Sequence, residues 1–119
     1  MNNITVDFIV DKLGLSVLCG REYLHRNVSS GYCCDLLSWV MAHAEKGSAW
    51  ITVQTHVNIV AIATLLDISC IIVPEGIDVN SKVIEKAEEE GVVMLSSYKT
   101  GFELAGELYA IGVGSKQEG

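Results

Sequence analysis

The sequence predicts an α/β domain: a three-layer sandwich with a mainly parallel sheet of about five strands and helices on both faces. Three observations carry this. From Ser48 onward, strand-like and helix-like patterns alternate three times over. The connections between them are short, as in βαβ crossovers. The run "CIIV" is apolar without alternation, as in a parallel strand covered on both faces.

The elements follow in order. In "TVDFIVDKLG", Thr5 is an N-cap, Val6, Ile9, Val10 and Leu13 recur at helical spacing, and Gly14 stops the run. "LSVLCG" reads as a strand ending at Gly20. Val28 to Tyr32 carries a weaker strand signal. "CDLLSWVMAHAEKG" predicts a helix with Asp35 as first-turn acid or cap, a buried stripe of Leu36, Leu37, Val40, Met41 and Ala44, and a stop at Gly47. "SAWITVQ" is a strand rich in β-branched and aromatic residues. "THVNIVAIATLLD" is a helix whose apolar positions almost surround it, so it is expected to be buried. "SCIIVPEG" gives the next strand. "VNSKVIEKAEEEG" is an amphipathic helix capped by Asn80 or Ser81 and stopped by Gly91. "VVMLSS" is a strand and "KTGFELAGELYAIG" the last helix. A single domain is expected over residues 1–113, followed by a flexible polar tail over 114–119.

Composition narrows the function. The chain has 119 residues, half of them apolar, one proline and a net charge of −7, so it has the means to build a core without staples. Its few cations make it a poor binder of nucleic acid. No apolar run reaches the roughly 18 residues of a membrane span. "MNNITVDFIVDKLG" has neither a basic region nor a small-residue cleavage site, so no signal peptide, a cytoplasmic location and reduced thiols are expected. Cys19, Cys33, Cys34 and Cys70 lack metal-ligand spacing and read as small core hydrophobes; no metal and no cofactor is expected.

The polar break "QTH" stands between a strand and a helix. In a parallel sheet, ligands sit beyond the carboxyl ends of the strands. Gln54, Thr55, His56 and Asn58 fall at such an end, where free N–H groups of a helix's first turn suit a phosphate or carboxylate. Thr55 can cap that helix, Gln54 offers donor and acceptor, and a protonated His56 adds charge; the plainer alternative is ordinary capping by Thr55 with Gln54 and His56 as solvated loop residues. The same edge collects the loop of Gly76 and that of Lys99 and Thr100, while Glu75 opposes a strongly charged ligand. Phosphate-loop, dinucleotide, zincin and nucleophile-elbow motifs are absent, so no enzyme is expected. Trp39 falls off the apolar stripe of its helix; either it makes with Leu36 and His43 a patch of the kind that dimers bury, or it folds under a loop of a monomer.

The order and spacing of D-L-L-S, W-x-T-x-Q-T-H-x-N-I-V-A and K-A-E-E-E-G, with the closing "TGFELAGELY", resemble a DRTGG domain over roughly Thr5 to Val113. The family is named for an Asp-Arg pair after one strand and a Thr-Gly-Gly after the next. By position, Thr55 and His56 stand at the Asp-Arg pair and Pro74, Glu75 and Gly76 at Thr-Gly-Gly; only Gly76 is retained. The resemblance implies a fold like the N-terminal domains of HPr kinase/phosphorylase and of Mur ligases. It implies a regulatory or assembly module without catalysis, as in DRTGG domains attached to phosphate acetyltransferases, cobyrinic-acid-synthase-like domains and CBS-containing pyrophosphatases. Stand-alone versions are similar to small proteins found beside iron-only hydrogenase and redox sensor-kinase components. The expected function is therefore a homodimeric binding module that senses a small anionic metabolite or nucleotide and docks to such a partner. An iron–sulfur accessory protein and a purely structural subunit are the alternatives.

Overall fold

A computed structural model describes residues 4–114. The elements are α1 (Val6–Leu13), β1 (Ser16–Cys19), a 3₁₀ turn at Arg21–Tyr23, β2 (Ser30–Cys33), α2 (Leu37–His43), β3 (Ser48–Ile51), α3 (Asn58–Leu66), β4 (Cys70–Val73), α4 (Ser81–Glu90), β5 (Met94–Ser96) and α5 (Gly101–Ala110). Local chemistry places many of the ends. Thr5 accepts a hydrogen bond from the Phe8 N–H, and Asn80 accepts one from the Lys82 N–H, so both are the N-caps that the sequence predicts.

The five strands form one sheet in the order β1-β5-β4-β3-β2. Pairs β2–β3, β3–β4 and β4–β5 are parallel; β1 joins the β5 edge antiparallel. Strand alternation divides the core into two layers. Ala49, Ile51, Cys70, Ile72, Val93 and Leu95 face α1 and α5. Trp50, Ile71, Val73 and Met94 face α2, α3 and α4. This is the three-layer sandwich that the sequence predicts. Ile71, Ile72 and Met94 are fully buried, and each such side chain stabilises by about 2 kcal/mol. Among the described residues no helix is long and apolar enough to cross a membrane. The tail predicted over 114–119 lies outside the described residues but for Gly114.

Four expectations change. The weak segment Val28–Tyr32 resolves as edge strand β2, shifted to Ser30–Cys33. The helix after it is short, and Leu36, not Asp35, is its N-cap residue. Of the stripe predicted for it, Val40 is buried, Leu37 and Ala44 are half-buried, and Leu36 and Met41 are exposed. The cause is position: α2 connects edge strand β2 to β3 and packs chiefly against α3. Helix α3 begins at Asn58 instead of Thr55 and buries one face, with Leu65 exposed.

Candidate functional site

Parallel strands β2 to β5 bring four loops to one edge. They follow Cys33, Ile51, Val73 and Ser96. Between the first three and the start of α5 lies a cleft of about 290 Å³, lined among others by Cys33, Asp35, Thr52, Glu75, Thr100 and Phe102.

Hydrogen bonds brace these loops against one another. Asp35 Oδ1 accepts from the Thr52 hydroxyl and from the Val53 N–H, both at 2.8 Å. Thr52 Oγ1 in turn accepts from the Gln54 N–H at 3.0 Å. The indole Nε1 of buried Trp50 donates to the Cys34 carbonyl at 2.9 Å. The Glu75 and Gly76 N–H groups donate to the Lys99 and Ser97 carbonyls, both at 2.8 Å. Thr100 caps α5 in a capping box with Glu103. The Thr100 N–H and hydroxyl donated to Glu103 hold its carboxyl below the ordinary range.

Glu75 has φ 65° and Gly76 φ 66°. A left-handed backbone costs a residue with a Cβ about 1 kcal/mol or more, so Glu75 is strained where glycine would not be. At Gly76 a Cβ would come within 2.6 Å of the Tyr98 ring.

The residues expected from sequence are spread around this edge. Gln54 Oε1 accepts from the His56 N–H at 3.3 Å, and His56 Nδ1 accepts from the Asn58 N–H at 3.1 Å. This bond engages the His56 Nδ1 at the start of α3. The Ile59 and Val60 N–H groups donate to the carbonyls of His56 and Val57. The first turn of α3 is thus satisfied from within the chain, and an anion there has to displace His56 and Gln54. Thr55 is not the cap; Val57 holds that position and offers no side-chain bond. Asn58 opens onto a separate groove between α3 and α4, and Gly76 onto a cleft beside β1. Lys99 turns away: its ammonium is 2.7 Å from the Glu107 carboxylate and 3.4 Å from the Leu13 carbonyl. Of the seven, Thr100 alone lines the edge cleft.

Asp35, Thr52, Glu75 and Phe102 are the lining residues that sequence reasoning passed over as site residues. Asp35 had a signal, since it follows a strand at the same edge, but only once β2 is recognised as parallel. The cleft's formal charges are Asp35 and Glu75, and no lysine or arginine lines it. Burial, then the nearby Asp35 and Cys34, raise the Cys33 thiol. Burial also raises Cys19 and pushes Cys70 up to about 12, with Arg26 acting weakly the other way. Such thiols are poor nucleophiles. Cys19 and Cys70 sit in opposite core layers. Among the described residues, no group of three or more His, Cys, Asp or Glu is placed to hold a metal ion.

Leu36, Trp39 and His43 are all exposed on α2. The Trp39 and His43 rings stack with centroids 4.0 Å apart, and His43 Nδ1 is 3.0 Å from the Trp39 carbonyl.

These features define an α/β domain with a loop-built cleft at the carboxyl edge of its sheet. The chain belongs to the DRTGG domain family, whose model matches residues 8–111. A similar solved structure is that of the CBS and DRTGG domains of the regulatory region of Clostridium perfringens pyrophosphatase, complexed with its activator diadenosine tetraphosphate. The TM-score is 0.71 at 17% identity, over 87% of this chain and 45% of that one. This chain therefore spans less than half of that structure, and the likeness is one of fold. No curated protein sequence matches. The family's Thr-Gly-Gly also gains a physical reading. Both positions that the resemblance assigns to its glycines, Glu75 and Gly76, are left-handed here.

Proposed function

We propose that this chain is a non-catalytic regulatory module that binds a nucleotide or another small anionic metabolite at the carboxyl edge of its sheet. The observation that carries the reading is the cross-braced cleft where those loops meet. Family membership supports it, as does the fold shared with a regulatory region that holds a nucleotide activator. The charges set the ligand's polarity. Asp35 and Glu75 keep phosphate out of the cleft, whose aromatic rim at Phe102 suits an uncharged ring. Phosphates then belong toward Gln54, Thr55, His56 and Asn58, where His56 and Gln54 exchange their local bonds for ligand bonds. A thermal-shift series with diadenosine tetraphosphate, ATP, AMP and acetyl phosphate tests this. At least one is expected to raise Tm with concentration, as ligands that bind only the native state do. His56→Ala and Gln54→Ala should reduce that rise. No rise with any of the four would overturn the ligand reading.

Partner docking is proposed for α2. Two copies of a chain with net charge −7 repel each other, so a close approach needs an uncharged face. Helix α2 offers one, with Leu36, Trp39 and Met41 exposed and no acidic or lysine side chain between Leu37 and His43. A homodimer through this face is the proposed assembly, in the cytoplasm and beside a hydrogenase or sensor-kinase component. Kinship with the HPr kinase N-terminal domain belongs to the same proposal. Sedimentation is expected to show a dimer that Trp39→Glu converts to monomer; a monomeric parent chain would remove the proposal. The iron–sulfur alternative has no ligand set among the described residues of one chain.

A further inference from the structure

At the opposite edge of the sheet lies a second cleft, of about 410 Å³. It is built by the three segments that enter the parallel strands. Arg26, Asn27 and Ser29 precede β2, Lys46 and Gly47 precede β3, and Asp67 and Ser69 precede β4. Two of the chain's eight lysines and arginines line it, although the chain holds fifteen acids.

Arg26 is the unusual member. It is half-buried, and its guanidinium lies 4.5 Å from the centre of the Tyr23 ring. A guanidinium held over an aromatic face can still use its N–H groups to bond elsewhere. Yet among the described residues no carboxylate lies within 4.0 Å of it; the three ion pairs belong to Lys46, Lys86 and Lys99. Arg26 is thus a half-buried cation with an aromatic partner and, among the described residues, no carboxylate partner.

Hydrogen bonds link the three segments. The Ser29 hydroxyl donates to the Lys46 carbonyl at 3.2 Å, and the Ser69 hydroxyl donates to the Asn27 carbonyl. Gly47 N–H donates to the Asp67 carbonyl at 2.9 Å. Asp67 is the one acid on the lining, and Lys46 meets it at 3.5 Å with both side chains largely exposed. Such a pair contributes little and opens readily. Against this single acid stand two cations.

We infer that this amino-edge cleft is a site for a small oxyanion of the phosphate class, held by the Arg26 fork and by Lys46. A guanidinium offers two parallel N–H donors that match a phosphate's oxygens. The ion's source is either free phosphate or the phosphoryl end of a small metabolite. The site is independent of the carboxyl-edge cleft.

The test is an amide NMR titration of the whole chain in low-salt buffer, with inorganic phosphate in one arm and ribose 5-phosphate in the other. The Gly47 and Ser69 amides are expected to shift and saturate. A tighter curve with the sugar phosphate would name a metabolite as the source, and equal curves the free ion. Arg26→Gln should weaken binding about tenfold, in line with the loss of a charge-assisted bidentate pair. Lys46→Gln, on the surface, should weaken it about threefold, and Lys82→Gln, outside the cleft, should leave it unchanged. If Arg26→Gln loses its fold by circular dichroism, Arg26→Lys takes its place; it keeps the charge without the fork and should still bind more weakly than the parent. Shifts that rise without saturating, saturation confined to other amides, or Arg26 and Lys46 variants that bind like the parent would each overturn the site.

Discussion

Trp50→Ala is expected to lower stability by about 4 kcal/mol and Tm by about 15 °C. Trp50 is fully buried on β3, one strand in from the β2 edge, in the layer that faces α2, α3 and α4. Its parallel neighbours are Tyr32 on β2 and Ile71 on β4. Alanine removes the largest fully buried side chain of the protein and leaves a hole that three helices cannot close together. The indole also bonds the Cys34 carbonyl, and so ties the segment carrying Cys33 and Asp35 to the sheet. Trp50→Phe separates the two roles. It keeps most of the packing and loses the donor, so about half the cost should remain. Urea denaturation of both variants measures this. A Trp50→Ala loss under 2 kcal/mol would mean that the layer collapses onto the gap. The bond to Cys34 also predicts a site effect: any ligand response at the carboxyl edge should be weaker in Trp50→Phe even where the variant is folded.

The parts of this fold that were legible in the sequence are those decided within a few residues. Thr5 and Asn80 cap helices because a side-chain oxygen reaches an N–H two or three positions on. The apolar run of β4 is legible because burial on both faces leaves no room for polar residues. The first exception is α2. Its pattern implies a buried stripe from Leu36 to Ala44, but periodicity says only which residues share a face, not how much sheet lies beneath them. The second is Asp35. Next to a helix it resembles a cap, and its actual partners, Thr52 and Val53, are fixed by the parallel register of β2 on β3. The polar break after β3 is legible as a turn whose side chains serve a helix start. That His56 and Gln54 satisfy that start themselves depends on α3 beginning three residues later than its pattern suggests. Glu75 carries no sequence signal of strain, since a positive φ belongs to the turn and not to the residue.

Gly20→Ala is expected to cost about 3 kcal/mol, from two separable sources. The first is conformational: Gly20 has φ 85°, where a Cβ crowds its own backbone. The second is collision. A Cβ at Gly20 would lie 2.7 Å from the Val93 Cα and 3.0 Å from the Val92 carbonyl oxygen. Both are backbone atoms at the entry of β5, and Val93 is fully buried, so neither can move aside as a side chain would. Relief has to come from the β1–β5 pairing, which is already irregular between Val17 and Cys19. Shifting that pairing also breaks the bond from the Gly20 N–H to the Glu88 carboxylate at 2.9 Å. Gly14→Ala supplies the control. It too has a positive φ, 67°, but nothing lies within 4 Å of its Cβ position, so it should lose only the conformational part, about 1 kcal/mol. The two variants differ by the collision alone, and urea midpoints at equal slope report that difference. Equal losses would show that β1 yields without cost at Gly20 and that the antiparallel edge is far looser than its buried contact with Val93 implies.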